Sequence, residues 1–281
     1  MIDLHTHSTV SDGSDPPDRV VELAAAAGCT ALALTDHDSL AGLAEAAGAA
    51  ARLGITLVRG CEISCRTGRG SGSMHVLVYF VDADEGPLPE ELTRLRSDRR
   101  TRNLALVDRL ATLGVTLDYA ALVARAGAEE GLGRPHFARA LVEAGAAEDL
   151  DDAFDRWLAE GRPAYIPKSR LGPAEVAALA TASGAVAVLA HPFSLGLDLS
   201  SLEAVVRELA EAGFTGIEAH YGRYTPDRRR ALARMATRNG LVATGGSDYH
   251  GAFKPDLSVG TAQGDLCVPE AVLEALAARR P

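Results

Sequence analysis

Lysine is almost missing from this chain of 281 residues: Lys168 and Lys254 are the only two among 28 basic residues. Long apolar runs are missing too. No stretch of about 18 apolar residues occurs, so no membrane-spanning helix is expected. Cysteine is sparse, at Cys29, Cys61, Cys65 and Cys267. Only Cys61 and Cys65 are close in sequence, and no second pair completes a tetrahedral thiolate zinc site. Reduced thiols are expected rather than a disulfide framework. Positive charge is in deficit, with 28 Lys and Arg against 38 Asp and Glu, a net charge of −10. That balance excludes an extended basic surface tracking duplex DNA. It leaves room for a small anionic substrate held by a few arginines or by metal ions. The opening Met1-Ile2-Asp3-Leu4-His5 has neither the basic segment nor the apolar stretch of a secretory signal, so a cytoplasmic location is expected. Neither a Ser–His–Asp signature nor a phosphate-cradling G-x-x-x-x-G-K loop is found.

What is present reads as a soluble globular protein, 47% apolar and 23% charged. At this length, roughly three quarters of the unfolded chain's surface is buried on folding. Strands are predicted over 2–8, 30–35, 55–63, 74–81, 185–190, 216–220 and 241–244, with 258–261 a further short candidate. Helices are predicted over 17–27, 40–53, 173–183, 202–212, 226–239 and 269–279. This alternation argues for a parallel sheet or barrel with helices outside. The expected class is α/β, a distorted (β/α)7 barrel, with an open doubly wound sheet as the alternative. Between 85 and 162 the rhythm breaks into helical periodicity alone, over 89–113, 119–126, 135–144 and 150–159. The organisation expected is a barrel domain over 1–84 and 163–281, carrying a helical insertion over 85–162 that caps the substrate.

The histidines and acids map onto strand ends. His5 and His7 form an i, i+2 pair on the first strand, so both point the same way. Asp12 lies just beyond. His37 follows the second strand, Glu62 ends the third, His75 starts the fourth, His191 ends the fifth, and Asp248 with His250 follows the seventh. Carboxyl ends of parallel strands are where barrel active sites are built. A single histidine would mean little, but nine such groups at strand ends read as a metal centre. Nine nitrogen and oxygen donors exceed what one ion takes, so two or three divalent ions (Mn, Fe or Zn) sharing a bridging carboxylate or water fit the count. Clustered ions with open positions suit hydrolysis, and phosphate esters are the natural substrates. The design resembles the amidohydrolase barrels in its His-x-His opening. Those use a carboxylated lysine as the bridge, however, and neither Lys168 nor Lys254 ends an early strand. Glu62 is the better bridge.

Asp3-Leu4-His5-Thr6-His7-Ser8, Ser11-Asp12-Gly13, Thr35-Asp36-His37-Asp38, Gly60-Cys61-Glu62-Ile63-Ser64, Ala190-His191-Pro192 and Gly246-Ser247-Asp248-Tyr249-His250-Gly251 together resemble the polymerase and histidinol phosphatase (PHP) family, in family order. The resemblance implies a distorted seven-stranded barrel with a trinuclear metal site. It implies that His5, His7, Glu62 and Asp248 hold one ion. Glu62, His75 and His191 would hold a second, and Asp12, His37 and His250 the third. Glu62, His191 and Asp248 are the catalytic candidates, with Glu62 bridging and His191 placed to assist proton transfer; no general acid is assigned.

Gly133-Arg134-Pro135-His136-Phe137 and Gly161-Arg162-Pro163-Ala164-Tyr165 resemble the branch that removes the 3′-phosphate from nucleoside 3′,5′-bisphosphates, some members of which trim short RNAs from the 5′ end. Arg134 and His136 would sit at a helix N-terminus, where backbone N–H groups favour an anion. Lys168 and Arg170 are further substrate-binding candidates. The implied partner is a small phosphorylated nucleotide or short oligonucleotide, not duplex DNA or a membrane. Histidinol-phosphate phosphatase activity is the alternative, and a non-catalytic metal-binding PHP module is the reading from another class. Other residues are read structurally. His220 is expected to make a local polar contact, Asp36 to orient a ligand histidine, Phe154 and Trp157 to fill the insertion core, Arg228–Arg230 to form a charged helix face, and Arg69 either to contact an anion or to be solvated.

Overall fold

The computed structural model describes residues 1–82, 84–126, 129 and 132–281. They pack as two compact units, Met1–Leu92 with Arg170–Pro281, and Thr93–Ser169. The division falls inside one long helix, Pro87–Thr112. No helix among the described residues is long and apolar enough to cross a membrane.

The first unit is built on seven strands in sequential order: β1 (Ile2–Thr6), β2 (Ala31–Leu34), β3 (Thr56–Cys65), β4 (Met74–Tyr79), β5 (Val186–Leu189), β6 (Gly216–Tyr221) and β7 (Val242–Gly246). The last strand turns back on the first. The His7 N–H donates to the Tyr249 carbonyl at 2.9 Å, and the Asp248 N–H to the His5 carbonyl at 2.9 Å. The sheet is thus a nearly closed barrel, and the open doubly wound alternative does not apply. Alternation along β2 shows how it packs. Ala31 and Ala33 join one buried cluster with Val58, Val188 and Val242, while Leu32 and Leu34 face Val20, Val21, Leu43 and Ala46 of the flanking helices.

One expectation fails at β4, which runs antiparallel to both β3 and β5. The loop joining β3 to β4 holds no helix. A parallel crossover needs a dozen or more residues, whereas a hairpin needs few, so the chain simply turns back. The consequence is functional: the start of β4, with His75, lies at the same barrel end as the finishes of its neighbours. A second expectation fails at Ser258–Thr261. Ser258 and Ala262 exchange backbone hydrogen bonds at 2.9 and 2.8 Å, which closes a turn rather than a strand.

Helix starts follow ordinary chemistry. Prolines open helices α1 (Pro17–Ala26), at Pro173 and at Pro226, where a missing N–H costs nothing. The Asp198 side chain caps Leu199–Glu211 by accepting from Ser201 N–H at 2.8 Å. The second unit holds the rest of the long helix, then Tyr119–Ala126, Arg134–Glu143 and Leu150–Ala153, the last continuing as a π-helical turn over Phe154–Leu158. Its core gathers Leu106, Leu110, Phe137, Leu141 and Leu158, with Phe154 and Trp157 packed against it, as the helical spacing predicts.

Barrel closure depends on Asp3. Its carboxylate is fully buried and accepts the N–H groups of Ser247 at 2.9 Å and Gly260 at 2.7 Å. Gly246 lies so close to β1 that an added Cβ would stand 2.4 Å from the His5 nitrogen. Replacing Asp3→Ala removes the acceptor of three buried N–H groups, of His5, Ser247 and Gly260, each worth about 1–3 kcal/mol. Urea denaturation of Asp3→Ala should therefore show a lower midpoint at unchanged m-value, with a loss of at least about 1 kcal/mol.

Candidate metal centre

The carboxylate of Glu62, on β3 and 1% exposed, is the centre of the site. Its Oε2 lies 3.1 Å from His7 Nε2, 3.2 Å from His5 Nε2 and 3.4 Å from His37 Nδ1. Its Oε1 lies 2.9 Å from His75 Nδ1 and 3.0 Å from His191 Nε2. Five imidazoles from four chain segments therefore converge on one carboxyl group, divided between its two oxygens. Asp248 Oδ1 approaches His5 and His7 Nε2, each at 3.5 Å, and His250 Nδ1 at 3.4 Å. Asp12 faces His7 and His250 at 3.5 and 3.3 Å through one oxygen, and His37 at 3.5 Å through the other.

All nine strand-end residues singled out in the sequence are thus in one place. Their donor atoms form four overlapping sets: His7, Asp12, His37 and His250; His5, Glu62 and His191; His5, His7 and Asp248; and His37, Glu62 and His75. The sets share His5, His7, His37 and Glu62, the pattern expected of neighbouring ions with common ligands. The floor is dry, with His5 and His7 fully buried, while Asp12 is half-exposed at the rim.

Two observations test whether these residues fit metal ions. First, His37 Nδ1 is buried with no hydrogen-bond partner. Burial drives this imidazole down to a pKa of about 4 against the pull of Glu62 and Asp12, so its ring nitrogens are neutral at pH 7 and carry a free lone pair. Second, three carboxylates are crowded into one pocket with histidines as the nearest counter-charges. Burial opposes charging His7, yet hydrogen bonds to Asp248 and Glu62 and the charge of Asp12 outweigh it and raise it to about 9. Burial likewise opposes ionising Glu62 and Asp248, but the surrounding imidazoles hold both well below the usual carboxylate range. An array of ionised carboxylates and donor imidazoles without thiolates fits divalent ions of the Mn, Fe or Zn type.

Sequence reasoning missed the groups behind the ligands. Glu218, on β6 and fully buried, places Oε1 2.8 Å from His5 Nδ1 and accepts the His191 N–H at 2.6 Å. Asp248 Oδ2 accepts from the Tyr221 hydroxyl at 2.8 Å and from Lys254 Nζ at 2.6 Å, which leaves Oδ1 for the histidines. Burial and the Asp248 charge push the Tyr221 hydroxyl far above its usual range, so it remains a proton donor. The signal was faint: Glu218 stood two residues from His220, where attention fell on the histidine. His220 itself is half-buried and belongs to none of the four sets.

Three expectations need correction. Asp36 does not touch a histidine; it accepts from Ser8 N–H at 2.8 Å, Ser8 Oγ at 2.7 Å and Ser11 Oγ at 2.7 Å, and Ser11 in turn lies 3.4 Å from His7 Nδ1. It braces the loop that carries Asp12. Arg229 is not on a charged face. It is 7% exposed and donates to the Tyr221, Gly222 and Asp265 carbonyls, because one of three consecutive helical positions must face inward. Arg69 is not simply solvated but pairs with Glu208 at 2.8 Å.

Within the second unit, Arg134 opens its helix as expected. Its guanidinium lies 4.7 Å over the Tyr165 ring and donates to the Ile166 carbonyl at 3.1 Å. His136 Nδ1 accepts the Gly133 N–H at 3.2 Å, so this ring caps its own helix. Lys168 is half-buried there, and Arg170, in the first unit, is exposed.

Comparison with known proteins bears on this arrangement. The family model described as PHP domain matches residues 3–160. A 3′,5′-nucleoside bisphosphate phosphatase of Chromobacterium violaceum is 35% identical, over 92% of this chain and 90% of its own length. The 5′-3′ exoribonuclease Rnm of Escherichia coli (strain K12) is 34% identical, over 89% of this chain and 85% of its own. Among solved structures, an amidohydrolase from Chromobacterium violaceum with bound sulfate and no metal superposes with a TM-score of 0.79 at 34% identity, covering 99% of this chain and 96% of that one. The strand-end histidines and acids, the barrel that gathers them and these likenesses agree: the chain belongs to the PHP domain family.

Proposed function

We propose that this phosphoric ester hydrolase removes the 3′-phosphate of nucleoside 3′,5′-bisphosphates, using two or three divalent ions held by His5, His7, Asp12, His37, Glu62, His75, His191, Asp248 and His250. The observation that carries the reading is the convergence of all nine donors around Glu62. Bound there, divalent ions supply an activated water and charge neutralisation on phosphoryl oxygens. The protein's own part is placement. Glu62 spreads its two oxygens between separate histidine sets, as a bridging ligand must. Asp248, held on one oxygen by Tyr221 and Lys254, presents the other inward. His191 lies at the partly exposed side of the pocket, where it can hold or pass a proton.

The bisphosphate assignment draws on the named activity of the Chromobacterium relative and on Arg134. Stacking on Tyr165 and the bond to Ile166 fix the guanidinium plane, so fewer rotamers are lost when its remaining N–H groups take a phosphate. We assign Arg134 to the second phosphate of the substrate, with the Arg134–Glu143 helix N-terminus, His136, Lys168 and Arg170 as supporting groups. In this reading the Thr93–Ser169 unit is the substrate-binding insertion. A second reading, trimming of short 5′-phosphorylated RNA, is favoured by the exoribonuclease relative. A cytoplasmic location belongs to the same proposal, supported by four free thiols.

Phosphate release from adenosine 3′,5′-bisphosphate by the Mn²⁺-loaded protein tests the proposal directly. Rapid turnover is expected. Silence on that substrate with brisk hydrolysis of histidinol phosphate would replace it. Chelation should abolish turnover, and Mn²⁺ at one hundred times its dissociation constant should stabilise the fold by about 2.7 kcal/mol per independent site, read from thermal melts. Glu62→Gln, which removes the bridging charge, should eliminate measurable kcat and lower the bound-ion count. Arg134→Ala should raise KM for the bisphosphate by the worth of a charge-assisted contact, about 1.5–3 kcal/mol, and leave KM for a simple phosphomonoester nearly unchanged. Equal losses on both substrates would remove Arg134 from substrate binding.

A further inference from the structure

We infer that Glu218 is a positioning residue for the metal centre, a buried carboxylate that fixes His5 through its ring and His191 through its backbone. The inference rests on the metal reading above and concerns what holds the ligands in place. Glu218 lies in mid-strand on β6, with its partner in register being Thr244 of β7. Its oxygens serve different segments: Oε1 is 2.8 Å from His5 Nδ1 on β1, and Oε2 is 2.6 Å from the His191 nitrogen just beyond β5. β1 and β6 flank β7 without pairing with each other, so this bond passes over β7 and ties two strands that share no ladder.

The donor bookkeeping sets the state of His5. A backbone N–H can only donate, so Oε2 accepts from His191. An ionised carboxylate accepts on Oε1 as well, which places the His5 proton on Nδ1. The other ring nitrogen, Nε2, is then the one left to hold an ion, and that is the atom facing Glu62 and Asp248 at 3.2 and 3.5 Å. The opposite tautomer would put a proton where the ligand lone pair must be. His191 needs its anchor for another reason. Its backbone has φ of +25°, a conformation that side-chain-bearing residues rarely adopt, and the bond from its N–H to Glu218 holds that turn with Nε2 at 3.0 Å from Glu62. A glutamine at 218 offers one carbonyl oxygen, so either His191 or His5 loses its acceptor, or His5 Nδ1 accepts from the amide NH2 and its own proton moves to Nε2.

The test begins with the wild-type protein loaded with diamagnetic Zn²⁺. Its His5 ring ¹⁵N shifts should report a proton on Nδ1 and the ion on Nε2, and an ion on Nδ1 would overturn the inference without any variant. Glu218→Gln should then bind Mn²⁺ 10- to 100-fold more weakly than wild type in equilibrium titrations followed by electron paramagnetic resonance. Glu218→Asp, which keeps both acceptors on a shorter stem, should recover part of that loss. Far-UV circular dichroism should match wild type for both. Wild-type Mn²⁺ affinity and stoichiometry in a folded Glu218→Gln overturns the inference, and if that variant does not fold, the wild-type tautomer decides. Wild-type protein that takes up no Mn²⁺ overturns the metal reading itself, a result distinct from equal binding by wild type and variant.

Discussion

A carboxylate buried to 1% exposure keeps its charge only where opposite charge or strong donors surround it, and the environment of Glu62 is arranged around that constraint. The ring nitrogens of His5, His7, His75 and His191, at 2.9–3.2 Å, meet that need, while His37 Nδ1 lies at 3.4 Å without a hydrogen bond. Burial opposes the charge on His5 and His191 as well, but the acids around them raise both, so the pocket carries its own compensation. The same crowding makes the pocket receptive to cations. An ion entering it exchanges protonated imidazoles for lone pairs already pointing at one volume, and little of the protein has to move.

A barrel suits this constraint because its strands can deliver donors to one rim from segments far apart in sequence. The inverted β4 follows the same logic, since a strand running the other way brings its first residues, including His75, to that rim. The geometry has a cost. Asp38, His191 and Asp248 have φ values of +51°, +25° and +57°, each unfavourable by about 1–3 kcal/mol for a residue with a side chain. These strained positions cluster at the site. The apolar clusters beneath it, from Ile2 and Leu4 to Val188 and Val242, are what the fold sets against them. Asp38 shows how strain is held locally, with its N–H donating to the Glu62 carbonyl at 2.9 Å and its carboxylate accepting from Ser64.

Legibility in the sequence followed the chemistry of each residue. The nine strand-end groups could be read because histidine and acid at the ends of apolar runs are uncommon, and their placement needed only the period of the strands. The barrel could be read from alternation, but the reversal of β4 was not, although the run between β3 and β4 is too short for a helical crossover. Glu218 and Lys254 could not be read: the role of Glu218 arises from strands brought together only by barrel closure, and that of Lys254 from a loop that folds it back on Asp248. Arg229 was misjudged for a related reason: in a run of three arginines, the helix angle selects the one to bury, and sequence alone gives that angle too loosely. Asp36 was placed near a histidine correctly but acts one residue further out, through Ser11, a distance that spacing cannot resolve.

Charge is divided between the two units. Acidic and basic residues balance over Thr93–Ser169, so the whole net charge of −10 belongs to the barrel unit. A negative barrel raises the local concentration of divalent cations at its acidic rim, and the same field opposes a phosphate ester. An anionic substrate therefore gains most once cations have filled the pocket. Any further attraction has to come from arginines whose charge is not already spent on a neighbouring acid. Many surface arginines of the barrel unit fail that condition, as with Arg66 paired to Glu175, Arg69 to Glu208, Arg223 to Asp256 and Arg238 to Glu203. Among the described residues Arg134 meets it, since its contacts with Tyr165 and the Ile166 carbonyl orient the guanidinium without neutralising it.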